Sequence, residues 1–367
     1  MMKTKITQQG LTLVEIMIAV LIGIVLTAGI IQLFISNKST YRLTESSSRI
    51  QESGRFANEF LTKDIRMAGF MGCYSAATSG IENMLNDTGN TGWDISKVIQ
   101  GYNNVTGGSV AGISNIVDNT DVIIVKSLAG TYLSGGIRLV SPYSDSAQYF
   151  VDPLFKNTCQ NNDENNCEAK IYVVTDCSKA TMFQATNIQE SGGKINITHS
   201  NAGSYDPGNS SPTPTNEYGE GATLLELATF AYYIRLNNGG RPSLYRSRLN
   251  ISGGTSIALT AEELVDGVEN LQLEYGVDTS GDRIPDSYLN AATINTEAAK
   301  AAPAYSWDDV ITVKFALLLT AEGRVTDKAA GSKTYNLSTD TPAAGPYADR
   351  QLRRVLVNTI GIRNRTL

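Results

Sequence analysis

Residues Gly10 to Ile35 read GLTLVEIMIAVLIGIVLTAGIIQLFI, an apolar run whose one charge is Glu15. As a helix, Leu11 to Ile35 spans roughly 37 Å at about 1.5 Å per residue, enough to cross the hydrocarbon of a bilayer. A chain that begins this way has to place everything after Ile35 against or beyond a membrane. Glu15 is expensive there, on the order of 2 to 3 kcal/mol or more if it lies deep and unpaired, so it needs a partner. A cut between Gly10 and Leu11 would supply one, because the new α-amino group of Leu11 would lie one helical turn from the carboxylate. The segment before the run holds Lys3 and Lys5 and no acid, and the far end of the run lacks a small-residue cleavage site. This is not the pattern of an ordinary secretory signal. The lysines stay on the cytoplasmic side and the body lies outside.

The helical pattern continues past the apolar run. Leu43, Ile50, Ala57, Leu61, Ile65 and Ala68 recur at helical spacing, with Phe56, Phe60 and Met67 widening the stripe. Glu45 with Arg49 and Glu59 with Lys63 are acid-before-base pairs that suit a solvated opposite face. No proline precedes Pro142, and Gly69 and Gly72 supply a stop. One helix is therefore predicted from Leu11 to about Ala68, with its outer half buried on a globular body. The division this gives is a removable leader at 1–10, a helical region at 11–72, membrane-spanning over 11–35 and amphipathic over 36–72, and a β-rich body at 73–367. Ala19, Gly23 and Thr27 form a small-residue row that suits either close helix approach or lipid.

The body carries the marks of an extracytoplasmic fold. Glycine is abundant at 33 residues, charged residues are only 18%, and the four cysteines form an even set that points to disulfides. Net charge is −6, or −8 without Lys3 and Lys5, which gives no electrostatic pull toward nucleic acid. Residues 74–220 read as a loop-rich stretch with short strand-like runs at 121–128, 136–140 and 170–177. The pattern then sharpens. ATFAYYIRL and PSLYRSRL flank Asn237-Asn238-Gly239-Gly240 as a hairpin. Leu271, Leu273, Tyr275 and Val277 share one strand face, as do Ile311, Val313, Phe315, Leu317 and Leu319. The fold class expected is α+β: a long N-terminal transmembrane and amphipathic helix packed on an antiparallel β-sheet domain.

The basic leader, Gly10, then Leu11-Thr12-Leu13-Val14-Glu15 and the apolar stretch resemble the class III signal of type IV pilins and pseudopilins. That resemblance implies cleavage after Gly10 by a prepilin peptidase, N-methylation of Leu11, and a role for Glu15 in methylation and filament docking. RFANEFLTKDIRMAGFMGC, the YYIR and LYR hairpin, LVDGVENLQLEYGVDTSGD and DRQLRRVLVNTIGIRNR together resemble PilW-type minor pilins. They are also similar, more weakly, to the J-type minor pseudopilins of type II secretion. Gln32 stands where the helix of major pilins commonly has proline, and the chain is more than twice their size, which suits a tip component rather than a bulk subunit. The resemblance implies a non-enzymatic subunit that helps prime type IV pilus assembly and forms part of the tip complex. Its implied partners are other minor pilins, the major pilin, the prepilin peptidase and a tip adhesin. The precursor would sit in the inner membrane. A signal-anchored periplasmic enzyme or ligand-binding protein is the alternative from another class.

Catalytic and cofactor chemistry finds little support in the residues, and none is expected. The single histidine, His199, sits in polar NITHSN and reads as an exposed loop residue. GSKT at 331–334 lacks the glycines of a phosphate loop. The arginines 350, 353, 354, 363 and 365 read as a solvated strand face or as partners of the helix's acids. Asp278, Ser280, Asp282 and Asp286 occupy positions one, three, five and nine of a calcium-type loop. Arg283 stands where that loop wants glycine, however, and a hairpin tip is the favoured reading. Cys159 and Cys167 enclose the polar run QNNDENN, which no core would hold, so a link between them is expected. Cys73 and Cys177 are then left to pair.

Overall fold

The computed structural model describes residues 12–366 apart from 74–79, 130–135, 160–166, 253–255, 324, 326–332, 340–342 and 348. Gly10 and Leu11 therefore lie outside the described residues, as do the QNNDENN run and half of the GSKT segment.

One helix, α1 (Leu13–Arg66), dominates the outline at roughly 80 Å. Thr12 caps its start, accepting from the Glu15 N–H while the Glu15 side chain accepts from the Thr12 N–H. It ends just short of the expected Ala68, with Met67 as C-cap. Gly69 then takes a left-handed φ of +74° that a side chain would resist, and its N–H donates to the Lys126 carbonyl at 2.8 Å.

The strands fall into two groups. The first lies within the stretch expected to be loop-rich: β1 (Glu82–Asn83), β2 (Ile99–Val105), β3 (Ser109–Val110), β4 (Ile113–Ser114), β5 (Thr120–Ala129) and β6 (Ile137–Asp145). It continues with β7 (Gln148–Val151), β8 (Ile171–Thr175), β9 (Ala180–Gln184), β10 (Asn187–Ser191) and β11 (Lys194–Thr198). β5, β6 and β8 fall on the strand-like runs expected at 121–128, 136–140 and 170–177, and most of the others are short and joined by turns at which Asn115, Asn119, Gly192 and Gly193 adopt positive φ, which leaves little period-two pattern to read.

The second group is longer: β12 (Thr223–Leu236), β13 (Pro242–Ser252), β14 (Ser256–Asp266) and β15 (Val268–Val277). After β16 (Ser287–Leu289) and α2 (Ala291–Ala298) come β17 (Val310–Thr320), β18 (Arg353–Gly361) and a terminal turn, α3 (Arg363–Thr366).

β12 is the spine of a large, mostly antiparallel sheet. It pairs β13 through Phe230–Leu236, β5 through Glu226–Tyr232 and β8 through Thr223–Glu226. A second sheet runs β16-β15-β17-β18. The main core lies where α1 and both sheets meet, around Leu61, Ile65, Tyr232, Leu273, Phe315 and Leu317. A separate aromatic core, with Tyr149, Tyr172 and Phe183, fills the β6–β11 region. The expected face of β17 is present from Val313 to Leu319, whereas Ile311 is buried outside that core because a register break at Gly276/Val277 turns it aside.

Candidate functional site: the anchored helix and its seat

The first part of α1 makes no contact that buries it. Leu13 to Ile35 stay exposed, and this is the one helix among the described residues long and apolar enough to cross a membrane. Glu15 is engaged with Thr12 alone, both Thr12 N–H and Thr12 Oγ1 donating to Glu15 Oε2 at 2.9 Å. In the small-residue row, Thr27 Oγ1 donates to the Gly23 carbonyl at 2.7 Å, so the hydroxyl is satisfied within the helix and the row presents a smooth face.

The outer half is seated by a stripe that repeats four, four, three: Ser46, Ile50, Gly54, Ala57, Leu61, Ile65 and Ala68 are buried. Leu43 and Phe56, expected on this stripe, are instead 45% and 39% exposed. Ser46 and Gly54 replace them because closeness rather than apolarity decides the contact. A Cβ at Gly54 would stand 2.9 Å from Leu319 Cδ1, which is why the helix can lie directly on β17 and β18. The period of the stripe was readable, and a small residue filling a gap in it is the signal that would have found Gly54.

Polar clamps hold each flank of the seat. On the β12–β14 side, Tyr232 Oη donates to Asp64 Oδ2 at 2.5 Å, and Arg246 reaches Asp64 at 3.4 Å while its Nε donates to Glu262 at 2.6 Å. The Arg246 guanidinium also lies 4.9 Å from the Phe230 ring centroid. Burial first, then the Asp64 carboxylate, pushes the Tyr232 phenol far up, so it remains a donor at any physiological pH. On the β18 side Asn358 Nδ2 donates to Asn58 Oδ1 at 2.7 Å, and Asn364 caps the Ala68 carbonyl at 3.1 Å. Past the helix, Leu128 N–H donates to the Phe70 carbonyl, and Cys73 is disulfide-bonded to Cys177 with 4.9 Å between Cα atoms. The second disulfide joins Cys159 to Cys167.

A buried carboxylate joins the two sheets. Asp121 accepts from the Asn104 N–H through Oδ1 and from the Leu273 N–H through Oδ2, at 2.8 and 2.7 Å. Burial pushes its carboxyl up to about 7 against the pull of those two donors. Nothing in the sequence pattern marks this aspartate, since the pairing needs the tertiary approach of β5 and β15.

His199 and some of the C-terminal arginines sit differently from their sequence reading. His199 is fully buried, with its ring 4.7 Å from Tyr149 and 5.0 Å from Phe183. A polar local context misled because the strand after which it falls turns the ring inward. Burial lowers the imidazole to about 4. Among the described residues the C-terminal arginines form no ion pair with the helix's acids, and Arg354 alone lies on a solvated face of the strand. Arg353 is clamped by Glu269 and Asp349, and Arg365 donates to the Val310 carbonyl at 2.9 Å and pairs with Asp308 at 3.3 Å. In the 278–286 loop, Asp278 accepts from the N–H groups of Ser280, Gly281 and Arg283, and Asp286 from those of Thr279 and Ser280. Those bonds fold a hairpin tip with the carboxylates turned onto backbone, and no group of three His, Cys, Asp or Glu poised for a metal occurs among the described residues.

The geometry is that of an exposed helix of membrane-spanning length and apolarity joined to a β body. Neither the curated proteins nor the solved structures give a match. Residues 231–364, which run from within β12 to α3, match the family described as Type IV Pilus-assembly protein W. Over the strands that seat its helix, the chain is therefore similar to a family of type IV pilus assembly, which supports a PilW-type relationship for that part of the body.

Proposed function

We propose that the chain is a minor pilin, a non-catalytic subunit that helps prime type IV pilus assembly and sits in the complex at the pilus tip. The observation that carries this reading is the joining of an exposed, membrane-length helix to a body whose helix-seating strands match the PilW family. In this reading Gly10 and Leu11 flank the peptidase cut, Leu11 is methylated, and Glu15 pairs with a terminal amine in the assembled complex. The Thr12–Glu15 capping box supports it, because a carboxylate already turned toward the N-terminal end of the helix lies where such an amine would come. The chain would enter the inner membrane with its N-terminus cytoplasmic. Its partners there are the other minor pilins, the major pilin, the peptidase and a tip adhesin.

Mass spectrometry of the mature N-terminus tests the reading. The expected product begins at a methylated Leu11, and Gly10→Trp should leave uncut precursor in the inner membrane. A mature protein that retains Met1, or one cut elsewhere, would overturn it.

A further inference from the structure

β18 ends the second sheet, and no strand among the described residues pairs with its outer edge. All nine of its residues pair with β17 from Thr320↔Arg353 to Thr312↔Gly361 without a register break. The phase of the ladder follows from one bond just beyond it. Ile362 N–H donates to the Ile311 carbonyl at 2.9 Å, so the even-numbered residues of β18 bond inward. The N–H and C=O groups of Val355 and Val357 then point outward, where no hydrogen bond reaches them among the described residues. The next outward N–H, that of Thr359, is held by the Asn358 side chain at 2.9 Å.

Edges of this kind are normally blunted by charged side chains, proline or a bulge, and past Arg353 and Arg354 the stretch VLVNTIG has none of these. Val357 is instead 52% exposed. Arg354 stands exposed near the start of the strand and Arg363, the first residue of α3, just past its end, and neither has an ion-pair partner among the described residues.

We propose that the free edge of β18 takes up an extended strand with acidic flanks from a different pilin subunit, extending the second sheet by one strand. The inference rests on the minor-pilin reading for the source of that strand. The edge supplies the hydrogen bonds and the two arginines set orientation and register. The chain's own acidic edge strand, β14, is poorly suited to fill the place in a second copy. Its Glu262 and Asp266 are already engaged by Arg246 and Arg241, and its Glu263 accepts from Asn237 Nδ2 at 3.0 Å, so the complementary charge is better supplied by another subunit.

The test uses the full chain in cells that lack the native copy. A photoreactive p-benzoylphenylalanine at position 357 should cross-link to an acid-flanked extended segment of another protein bearing a prepilin-type N-terminus, with the site mapped by peptide sequencing. Cross-linking to a second copy, to a helix, or to nothing would overturn the proposal. Val357→Pro removes an outward N–H while leaving the inward ladder intact, and should cut surface pili at least tenfold at unchanged protein level. Val357→Lys, which leaves the backbone unaltered, should do the same if the proline variant fails to accumulate. Wild-type piliation by either accumulated variant sinks the proposal. A deletion strain that keeps its pili sinks the minor-pilin reading instead, so the two failures are distinguishable.

Discussion

His199 carries both ring nitrogens into an aromatic core where neither they nor the neighbouring Tyr149 hydroxyl finds a partner among the described residues. An imidazole so placed is kept neutral. Its folded value of about 4 lies below the ordinary 6.5, so the unfolded chain binds the proton first as pH falls. Stability from this residue is complete above 6.5 and is lost progressively toward 4, a loss on the order of 3 kcal/mol. His199→Phe, which keeps the ring and deletes the nitrogens, should flatten the dependence of unfolding free energy on pH between 6.5 and 4. It should also stabilise the protein by about 1 kcal/mol at pH 7, by removing unsatisfied polar atoms. Denaturant titrations at a series of pH values check both expectations. An unchanged acid slope would show that the ring is solvated when folded.

The helix and its seat show most clearly what sequence could and could not give. Period alone placed Ile50, Ala57, Leu61, Ile65 and Ala68 on the buried stripe, because a helix face is a one-dimensional pattern. Gly54 escaped that pattern, since its role is to be absent of side chain where Leu319 and Leu356 press in. The long strands β12, β15 and β17 were legible for the same reason as the stripe. Within β1 to β11, the runs at 121–128, 136–140 and 170–177 mark β5, β6 and β8, while the shorter strands escape because partners far away in sequence hold them: β1 by β9, and β7 by β11. The Asp64–Tyr232–Arg246 clamp was invisible as well, for it spans three elements. Gly54 offers the test at this scale. Gly54→Leu would drive several atoms into a contact already 2.9 Å from the Cβ position, and should destabilise the folded body by about 1 to 3 kcal/mol. Gly54→Ala should be nearly neutral, because helix propensity gained, about 1 kcal/mol, offsets a shift of the Leu319 methyl. Thermal unfolding of the two variants beside the native chain separates them, and equal melting would mean that the helix does not bear on β17.

At the scale of the whole molecule, α1 and both sheets share the main core, whereas the aromatic subcore of the β6–β11 region stands apart from it. Specific polar joints and disulfides add to the shared core. Asp121 stitches β2 and β15 through backbone N–H groups, and Gln272 adds a bond to the Asn119 carbonyl at 3.0 Å. The Cys73–Cys177 link ties the end of α1 to the turn after β8 across a separation of 104 residues, whereas Cys159–Cys167 closes a separation of only 8. Loop-closure entropy therefore ranks the two. Losing the long link should cost about 4.7 kcal/mol and losing the short one about 2.5 kcal/mol on the chain-entropy estimate. Paired alanine variants, Cys73→Ala with Cys177→Ala and Cys159→Ala with Cys167→Ala, measure this by denaturant unfolding of the full chain in detergent. Hydrogen exchange gives the location. The long-link variant should lose amide protection in β8 and β9 while the α1 seat keeps its own, because the Gly69 and Leu128 bonds still hold the chain that leaves the helix against β5. A larger loss from the short link, or exchange that spreads first into α1, would show that the disulfide at the helix end is not what binds the first eleven strands to the anchor.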